Sequence, residues 1–189
     1  MLYEHFLSVS KADHLLHNLI AQTPWEQPVL SMFGKQVSSP RLAAWYGDRD
    51  AVYCYSGLVN HPLPWTPTLH DVRNNLQSET GVRFNSVLLN LYRDGNDSMG
   101  WHADDEPELG ETPVIASLSL GATRRFLMRR KQRISKQREP ARAIELAHGS
   151  LLVMQGSTQQ FWQHRVSPTK IHVGPRINLT FRVINPQGT

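Results

Sequence analysis

The chain has 189 residues, of which 40% are hydrophobic and 19% are charged. This length suits one domain, and the composition excludes a largely disordered chain. The net charge of +4 favours a polyanionic partner only weakly, because many basic proteins bind no nucleic acid. With Cys54 as the single cysteine, an intramolecular disulfide and a multi-cysteine zinc site are excluded.

The cellular compartment is predicted from features that are absent from the sequence. The first ten residues have neither the basic start nor the long apolar run of a secretory signal. No segment approaches the roughly 18 apolar residues that a membrane helix needs. A single cysteine fits a reducing compartment. We therefore expect a cytoplasmic protein, in the nucleoid or, in a eukaryote, the nucleus, with no membrane partner.

Two helices are predicted in the first part of the chain. Residues 8–22 carry apolar side chains at helical spacing, with Ser10 as the capping residue. Residues 67–80 have apolar side chains on one side and are followed by Gly81. Residues 24–66, between these helices, are rich in Pro, Gly and aromatics and predict irregular surface structure around short strands.

From residue 82 the pattern changes to short β-rich runs separated by turn residues. The runs are SVLLNLYR, VIASLSLG, RRFLMR, RAIELAH, SLLVMQG, FWQHRV and INLTFRVI. Such a series predicts an antiparallel sandwich or barrel, and a mixed α+β sheet is the alternative. We see no domain boundary, so we expect one domain over 1–189, with a helical and irregular cover (1–81) and a β-rich core (82–189).

A His-x-Asp pair lies at His102 and Asp104. Residues two apart in a strand face the same way, so both side chains can project into one space. One more histidine would complete a 2-His-1-carboxylate triad, which leaves three positions open on an octahedral iron. The chain has nine histidines, and their positions do not show which of them is the third ligand. Taken alone, the His-x-Asp pair has a solvated surface turn as its alternative interpretation.

The C-terminal run RINLTFR alternates in a way typical of a strand. One face carries Arg176, Asn178, Thr180 and Arg182, and the other face is apolar. Two guanidiniums on a polar face suit a dicarboxylate, because arginine binds carboxylates bidentately and stays charged. A solvent-facing edge strand is the alternative. A histidine such as His164, at the end of a strand beside a tryptophan, is taken alone more often a packed residue than a ligand.

Taken together, these motifs resemble the AlkB family of Fe(II)/2-oxoglutarate dioxygenases, and within it the nucleic-acid repair branch. The similarity runs from about residue 30 to the end. It is carried by NLYRDGNDSMGWHADDEPEL, IASLSLGATRRF, HGSLLVMQGSTQQFWQH and PRINLTFR.

The resemblance implies a mostly β (α+β) fold with a double-stranded β-helix, or jelly-roll, core. It implies Fe(II) as cofactor, with 2-oxoglutarate and O2 as co-substrates. The implied iron ligands are His102, Asp104 and His164. The implied co-substrate residues are Asn90, Tyr92, Arg176 and Arg182, and the strand face adds Asn178 and Thr180.

The implied activity is oxidative dealkylation of bases such as N1-methyladenine and N3-methylcytosine in DNA or RNA. It would proceed through a ferryl intermediate and release aldehyde, succinate and CO2. The target base must be flipped out or already single-stranded. The resemblance assigns base contacts to Tyr53 and Tyr55 and places Asp105 and Glu106 near the base. Sheet packing and a solvated turn are the respective alternatives.

Residues 32–35 and 41–48 resemble the family's nucleotide-recognition lid, with Phe33 as an apolar finger residue. An apolar wedge helps to replace an extruded base. The sequence does not distinguish the roles of Trp45 and Tyr46, and either can belong to the core of the lid.

A basic run predicts backbone contacts of a nucleic-acid partner, with Arg130 and Lys131 as the main candidates. A solvated face is the alternative. The run comprises Arg124, Arg125, Arg129, Arg130, Lys131, Arg133, Lys136 and Arg138.

Three other functions compete with this interpretation. They are an oxygenase of a protein or lipid substrate, a non-catalytic nucleic-acid binding module, and a zinc hydrolase. The Tyr53 and Tyr55 pair and the basic run oppose the first, the intact His-x-Asp motif opposes the second, and the two arginines have no clear role in the third. We expect a monomer, and the sequence does not separate DNA from RNA.

Overall fold

The computed structural model of the chain describes residues 1–32, 35–55, 58–131 and 139–185. Its helices are α1 (Val9–Gln22), α2 (Pro67–Thr80) and α3 (Thr158–Phe161), with a 3₁₀ turn at Pro107–Leu109. Its strands are β1 (Leu2–Tyr3), β2 (Val29–Met32), β3 (Lys35–Ser38), β4 (Leu42–Gly47), β5 (Tyr53–Tyr55), β6 (Leu58–Asn60), β7 (Ser86–Tyr92), β8 (Met99–His102), β9 (Ile115–Gly121), β10 (Arg124–Arg130), β11 (Arg142–Leu146), β12 (Leu151–Met154), β13 (Trp162–Val166) and β14 (Arg176–Arg182).

Two antiparallel sheets form the body of the molecule. The larger sheet has the order β1-β12-β9-β14-β7-β4, and the smaller has the order β11-β10-β13-β8. Two further strand pairs, β2 with β3 and β5 with β6, lie outside them. The predicted mostly β, antiparallel architecture is therefore confirmed, and its two sheets fit a jelly-roll core. Within the described ranges, no helix is long and apolar enough to cross a membrane.

The larger sheet includes two strands from the first 81 residues. β1 pairs with β12, and β4 pairs with β7 from Leu42 opposite Leu91 to Gly47 opposite Ser86. The sequence placed this whole region in the cover, and residues 41–48 in a lid. β4 lies instead at the edge of the core sheet. Short strands are predicted between residues 24 and 66, but the sequence does not show that this one, with Ala44 and Tyr46 buried, joins the core sheet.

The residues at the helix ends are those that the sequence predicts, except for the N-cap of α1. The first turn of α1 is capped by the hydroxyl of Ser8, which accepts a hydrogen bond from the Lys11 backbone N–H (3.4 Å). The prediction of Ser10 as the cap was wrong, because Ser10 already lies inside the first turn. α2 ends at Gly81, whose φ of 70° places it in the left-handed region that glycine adopts without strain.

The alternation of β14 divides the molecule into an apolar and a polar region. Ile177, Leu179 and Phe181 are fully buried in the core that also contains the apolar residues of α1 and α2. Because successive side chains in a strand point to opposite faces, the intervening polar residues of β14 face the space between the two sheets. The strand thus presents its arginines to an interior cavity, and the alternative of a solvent-facing edge strand is excluded.

A charged turn connects β7 to β8. The carboxylate of Asp97 is buried and accepts hydrogen bonds from the backbone N–H, Nε and Nη2 of Arg93, at 2.9, 2.8 and 2.9 Å. Arg124 is 3% exposed and donates to the carbonyl oxygens of Asp94, Asp97 and Ser167. The prediction that Arg124 belongs to an exposed phosphate-binding run was therefore wrong, since its guanidinium is used to close this turn.

We expect Asp97→Asn to lower the free energy of unfolding at pH 7 by about 2 kcal/mol, because hydrogen bonds to charged groups contribute roughly 1.5–3 kcal/mol. Burial acts to raise the pKa of Asp97, but Arg93 and Arg124 hold it below its ordinary value of 3.8. A carboxylate with a lowered folded-state pKa stabilises the protein above the unfolded-state pKa, and this stabilisation is lost as the pH falls through the folded-state pKa. Urea unfolding should therefore show a smaller difference between wild type and variant at about pH 3.5 than at pH 7. A difference that grows on acidification would contradict this assignment.

Candidate metal centre

Three side chains from different parts of the chain converge between the sheets. One possible ligand atom from each of His102, Asp104 and His164 lies within 4.8 Å of the other two. The histidines are brought together by the pairing of β8 with β13, which places them directly opposite each other with ring centroids 4.2 Å apart. Asp104 differs from the prediction in one respect, because β8 ends at His102 and Asp104 lies in the loop that follows.

Both histidines can offer a ring nitrogen to a metal ion. The Nδ1 of His102 lies 2.9 Å from the carbonyl oxygen of Gly100, and because a carbonyl only accepts, this nitrogen carries the proton and leaves Nε2 free. His164 is buried against the ring of Phe126. Burial and the neighbouring His102 lower the pKa of His164 to about 4, although Asp104 acts in the opposite direction. His164 is therefore uncharged at neutral pH, as metal ligation requires.

Asp104 is the charged member of the group. It is 3% exposed, and one of its oxygens accepts a hydrogen bond from Nη2 of Arg182, while the other lies 3.7 Å from Nε2 of His164. Burial acts to raise the pKa of Asp104, but Arg182, His164 and His102 hold it below its ordinary value. The carboxylate is therefore ionised, and its Oδ2 is available on the side of the histidines.

A cavity of about 480 Å³ extends from these three residues between the sheets. Its polar wall is formed by β14 and the neighbouring β7, which contribute Asn90, Tyr92, Arg176, Asn178, Thr180 and Arg182. The co-substrate residues that the sequence predicted are therefore all brought to one cavity with the three candidate ligands.

Arg176 is a buried cation with no acidic partner among the residues that the structure describes. It is 1% exposed, its Nη2 donates to the hydroxyl of Ser119 (2.9 Å), and its guanidinium lies 5.1 Å from the ring centroid of Tyr92. Its Nε and Nη1 have no hydrogen-bond partner among the residues that the structure describes. Burial lowers the pKa of Arg176 and the charge of Arg124 acts in the same direction, whereas Tyr92 acts to raise it. Since a buried unpaired charge is costly, this site suits an anionic ligand, and the planar fork suits a carboxylate.

The neighbouring amides differ in what they can offer a ligand. The amide of Asn178 donates to Ser117 and to the Leu118 carbonyl and accepts from the Thr180 hydroxyl, so these atoms are already used within the sheet. Asn90 accepts a hydrogen bond from Nε of Arg41 (2.7 Å). Because arginine only donates, the Asn90 oxygen faces Arg41 and its NH2 group stays available as a donor.

The two acidic residues that follow Asp104 lie in different environments. Glu106 lines the cavity, and its Oε2 is buried with no hydrogen-bond partner in the described part of the chain. Asp105 is exposed and accepts a hydrogen bond from Nζ of Lys131 (2.6 Å). Glu106 is therefore brought to the site, while Asp105 and Lys131 pair with each other outside the cavity.

The remaining predicted substrate residues divide into two groups. Phe33 and the side chains of Tyr53 and Tyr55 lie outside the described residues, as do the basic residues between 132 and 138. Arg130 is described, and its guanidinium lies 5.3 Å from the ring centroid of Trp162, with that of Arg142 at 5.2 Å from the same ring.

The structure adds site residues that the sequence analysis missed. Ser117 and Ser119 hold Asn178 and Arg176, and the alternation of serine and leucine in IASLSLG was a usable signal for them. Arg41 lines the cavity, and Gln159 binds the backbone of Asp104. No local pattern marks these last two, because each acts on a residue about 50 positions away.

Comparison with known proteins agrees with this geometry. Residues 1–182 match the family model of the 2OG-Fe(II) oxygenase superfamily. The His-Asp-His group suits iron and the buried donor atoms of Arg176 suit a carboxylate, which agrees with the description of that superfamily.

Similarity to named relatives places the chain more specifically within this superfamily. The chain is 45% identical to human alpha-ketoglutarate-dependent dioxygenase alkB homolog 3 over 191 residues, which cover 98% of this chain and 66% of the relative. It is 41% identical to mouse DNA oxidative demethylase ALKBH2, covering 97% of this chain and 80% of the relative. The solved structure of OsALKBH1 superposes with a TM-score of 0.62 at 18% identity and 96% coverage of both chains, a likeness of fold.

The chain belongs to the AlkB family of 2OG-Fe(II) oxygenases. It spans about two thirds of the length of the human alkB homolog 3 relative.

Replacing Arg176 with Met should weaken 2-oxoglutarate binding at least about thirtyfold, because truncating one member of a buried charge pair costs roughly 2–5 kcal/mol. Without ligand, the variant should be as stable as wild type or more stable, since an apolar side chain replaces an uncompensated buried charge. Calorimetric titration of the Mn(II)-loaded proteins with 2-oxoglutarate and thermal unfolding without it measure the two effects. Binding within threefold of wild type would remove Arg176 from the co-substrate site.

Proposed function

We propose that this chain is an oxidative dealkylase of alkylated nucleobases, which removes methyl groups from bases such as N1-methyladenine and N3-methylcytosine in nucleic acid. The observation that carries the proposal is the joint placement of the His102, Asp104 and His164 group and the unpaired guanidinium of Arg176 around one cavity. A nucleic-acid substrate is supported by the relatives named DNA oxidative demethylase ALKBH2.

Different side chains would bind the metal and the co-substrate. Fe(II) with 2-oxoglutarate and O2 would supply the oxidising chemistry at the alkyl carbon. His102, Asp104 and His164 would hold the metal. The Nε and Nη1 of Arg176 would receive the distal carboxylate of the co-substrate. Arg182 would keep one oxygen of Asp104 occupied, which leaves the other for the metal.

The substrate end of the cavity favours a cationic base. Glu106 presents a buried carboxylate oxygen without a described partner, and methylation at N1 of adenine or N3 of cytosine gives the base a positive charge. A buried carboxylate oxygen at this position would stabilise that charge, because opposite charges attract more strongly away from bulk water. The aromatic side chains of Tyr53 and Tyr55 and the apolar Phe33 would complete the pocket for an extruded base.

A zinc hydrolase is less consistent with the cavity, because hydrolysis at a His/Asp/His site leaves Arg176 without a function. A non-catalytic binding module has no use for the His-Asp-His group. We further propose that the protein acts as a monomeric single domain in the compartment that holds its nucleic acid, whether cytoplasm, nucleoid or nucleus.

Incubation of wild type with oligonucleotides carrying N1-methyladenine or N3-methylcytosine, Fe(II), ascorbate and 2-oxoglutarate should restore the unmodified base. Mass spectrometry should show the loss of one methyl group, with one succinate formed per aldehyde released. DNA and RNA, each single-stranded and duplex, should be compared in the same assay. Normal co-substrate turnover with no change in any methylated oligonucleotide would contradict the proposed substrate.

His102→Ala is the matched inactive control. The described hydrogen bond of the His102 ring is to Gly100 within its own strand, so the fold should survive its loss. Asp104→Ala is a poorer control, because it leaves Arg182 buried without its carboxylate, and breaking a buried pair destabilises a protein by about 3–5 kcal/mol. A His102→Ala protein with full activity would remove His102 from the metal group.

The basic edge of the smaller sheet supports backbone contacts. Arg130 and Arg142 both lie against Trp162, at the end of the sheet next to α3. An arginine stacked on an aromatic ring loses less conformational entropy when its N–H groups bind phosphate. Lys131 is paired with Asp105 at 2.6 Å, whereas Arg130 lies 3.9 Å from Glu139 in a looser ion pair. We therefore assign the phosphate contacts to the two arginines.

Arg130→Gln combined with Arg142→Gln should weaken binding of a single-stranded oligonucleotide and reduce the slope of log K against log salt by roughly 0.7 for each lost contact. Fluorescence anisotropy from 50 to 300 mM salt measures the slope. Arg125→Gln is the control, because Arg125 is exposed on β10 and already paired with Glu145. An unchanged slope in the double variant would exclude this edge from the binding surface.

A further inference from the structure

The loop after β8 carries the one candidate ligand that no strand holds in place. His102 and His164 are fixed by strand pairing, whereas Asp104 lies two residues beyond the end of β8. Its carboxylate is also shared, because Arg182 binds one oxygen. A rotation of the Asp104 peptide would let the guanidinium take both oxygens, since arginine favours bidentate pairing, and the metal would lose its ligand.

Gln159 of α3 contacts this peptide directly. It is 1% exposed, and its Oε1 accepts a hydrogen bond from the backbone N–H of Asp104 at 3.0 Å. Its Nε2 donates to the sulfur of Met154 at 3.6 Å. Because the Asp104 N–H can only donate, the amide of Gln159 has one satisfactory orientation.

The surroundings of Gln159 are themselves anchored. The backbone N–H of Lys131 donates to the carbonyl of Phe161 at the end of α3 (2.8 Å), and its Nζ binds Asp105 (2.6 Å). Gln160 donates to the carbonyl of Glu111 (2.9 Å). The loop and α3 are therefore held against each other on both sides of the contact between Gln159 and Asp104.

We propose that Gln159 is a positioning residue for Asp104, which fixes the peptide so that Oδ2 faces the histidines while Arg182 retains the other oxygen. The assignment rests on the proposed function, because it presumes that Asp104 binds a metal. Groups that orient a metal ligand typically contribute a factor of about 10–100 in metal affinity.

A pair of variants separates positioning from packing. Gln159→Met keeps the length of the side chain and removes the acceptor, and we expect it to bind Co(II) at least about tenfold more weakly with a changed visible Co(II) spectrum. Gln159→Glu keeps an acceptor oxygen and should remain within about threefold of wild type in Co(II) affinity. A packing role predicts the reverse order, because methionine is an apolar side chain of similar length and a carboxylate buried at this position is costly.

Titration with Co(II) alone provides the measurement. Phe161→Met is the control on the same helix, because the side chain of Phe161 is 50% exposed and its described contact is made by the backbone carbonyl. If Gln159→Met does not fold, Gln159→Asn serves instead, since its shorter amide cannot reach the Asp104 N–H and should show the same loss. Co(II) affinity and spectrum of the acceptor-free variant matching wild type would overturn the inference alone. A wild-type protein that binds no Co(II) would overturn the proposed function with it.

Discussion

The chemistry of the cavity depends on two buried arginines of β14 that lie six residues apart and have different partners. Arg182 is neutralised by Asp104, and this ion pair keeps the carboxylate ionised inside the protein. Arg176 has no carboxylate partner among the described residues and retains two buried donor atoms without hydrogen bonds. A protein does not stabilise itself with an unpaired buried charge. The arrangement is understandable if a dicarboxylate supplies the missing partner during function.

The rest of the fold acts by positioning these groups. The apolar face of β14 fixes the strand in the core, since Ile177, Leu179 and Phe181 are fully buried. This forces the polar face toward the cavity. On the opposite sheet, the pairing of β8 with β13 sets the two histidines side by side. The metal group and the anion site therefore face each other because two sheets pack together.

Much of this was predictable from local pattern, and the rest was not. The period-2 alternation of β14 predicts which residues share the face of Arg176, because strand geometry allows no other outcome. The two helices followed from apolar spacing and, for α2, a terminal glycine. The choice of His164 among the nine histidines needed the family resemblance, because the pairing of β13 with β8 joins residues 62 positions apart in sequence numbering. The edge strand β4, the buried role of Arg124 and the contact between Gln159 and Asp104 depend on tertiary packing and have no local signature.

The most direct test is an anaerobic titration of wild type with Fe(II) followed by 2-oxoglutarate, monitored by visible absorption. A charge-transfer band of the iron–2-oxoglutarate chelate should appear only when both are present, and it should saturate at one equivalent of each. Iron that binds without any band on addition of 2-oxoglutarate would contradict a shared site for the metal and the keto-dicarboxylate.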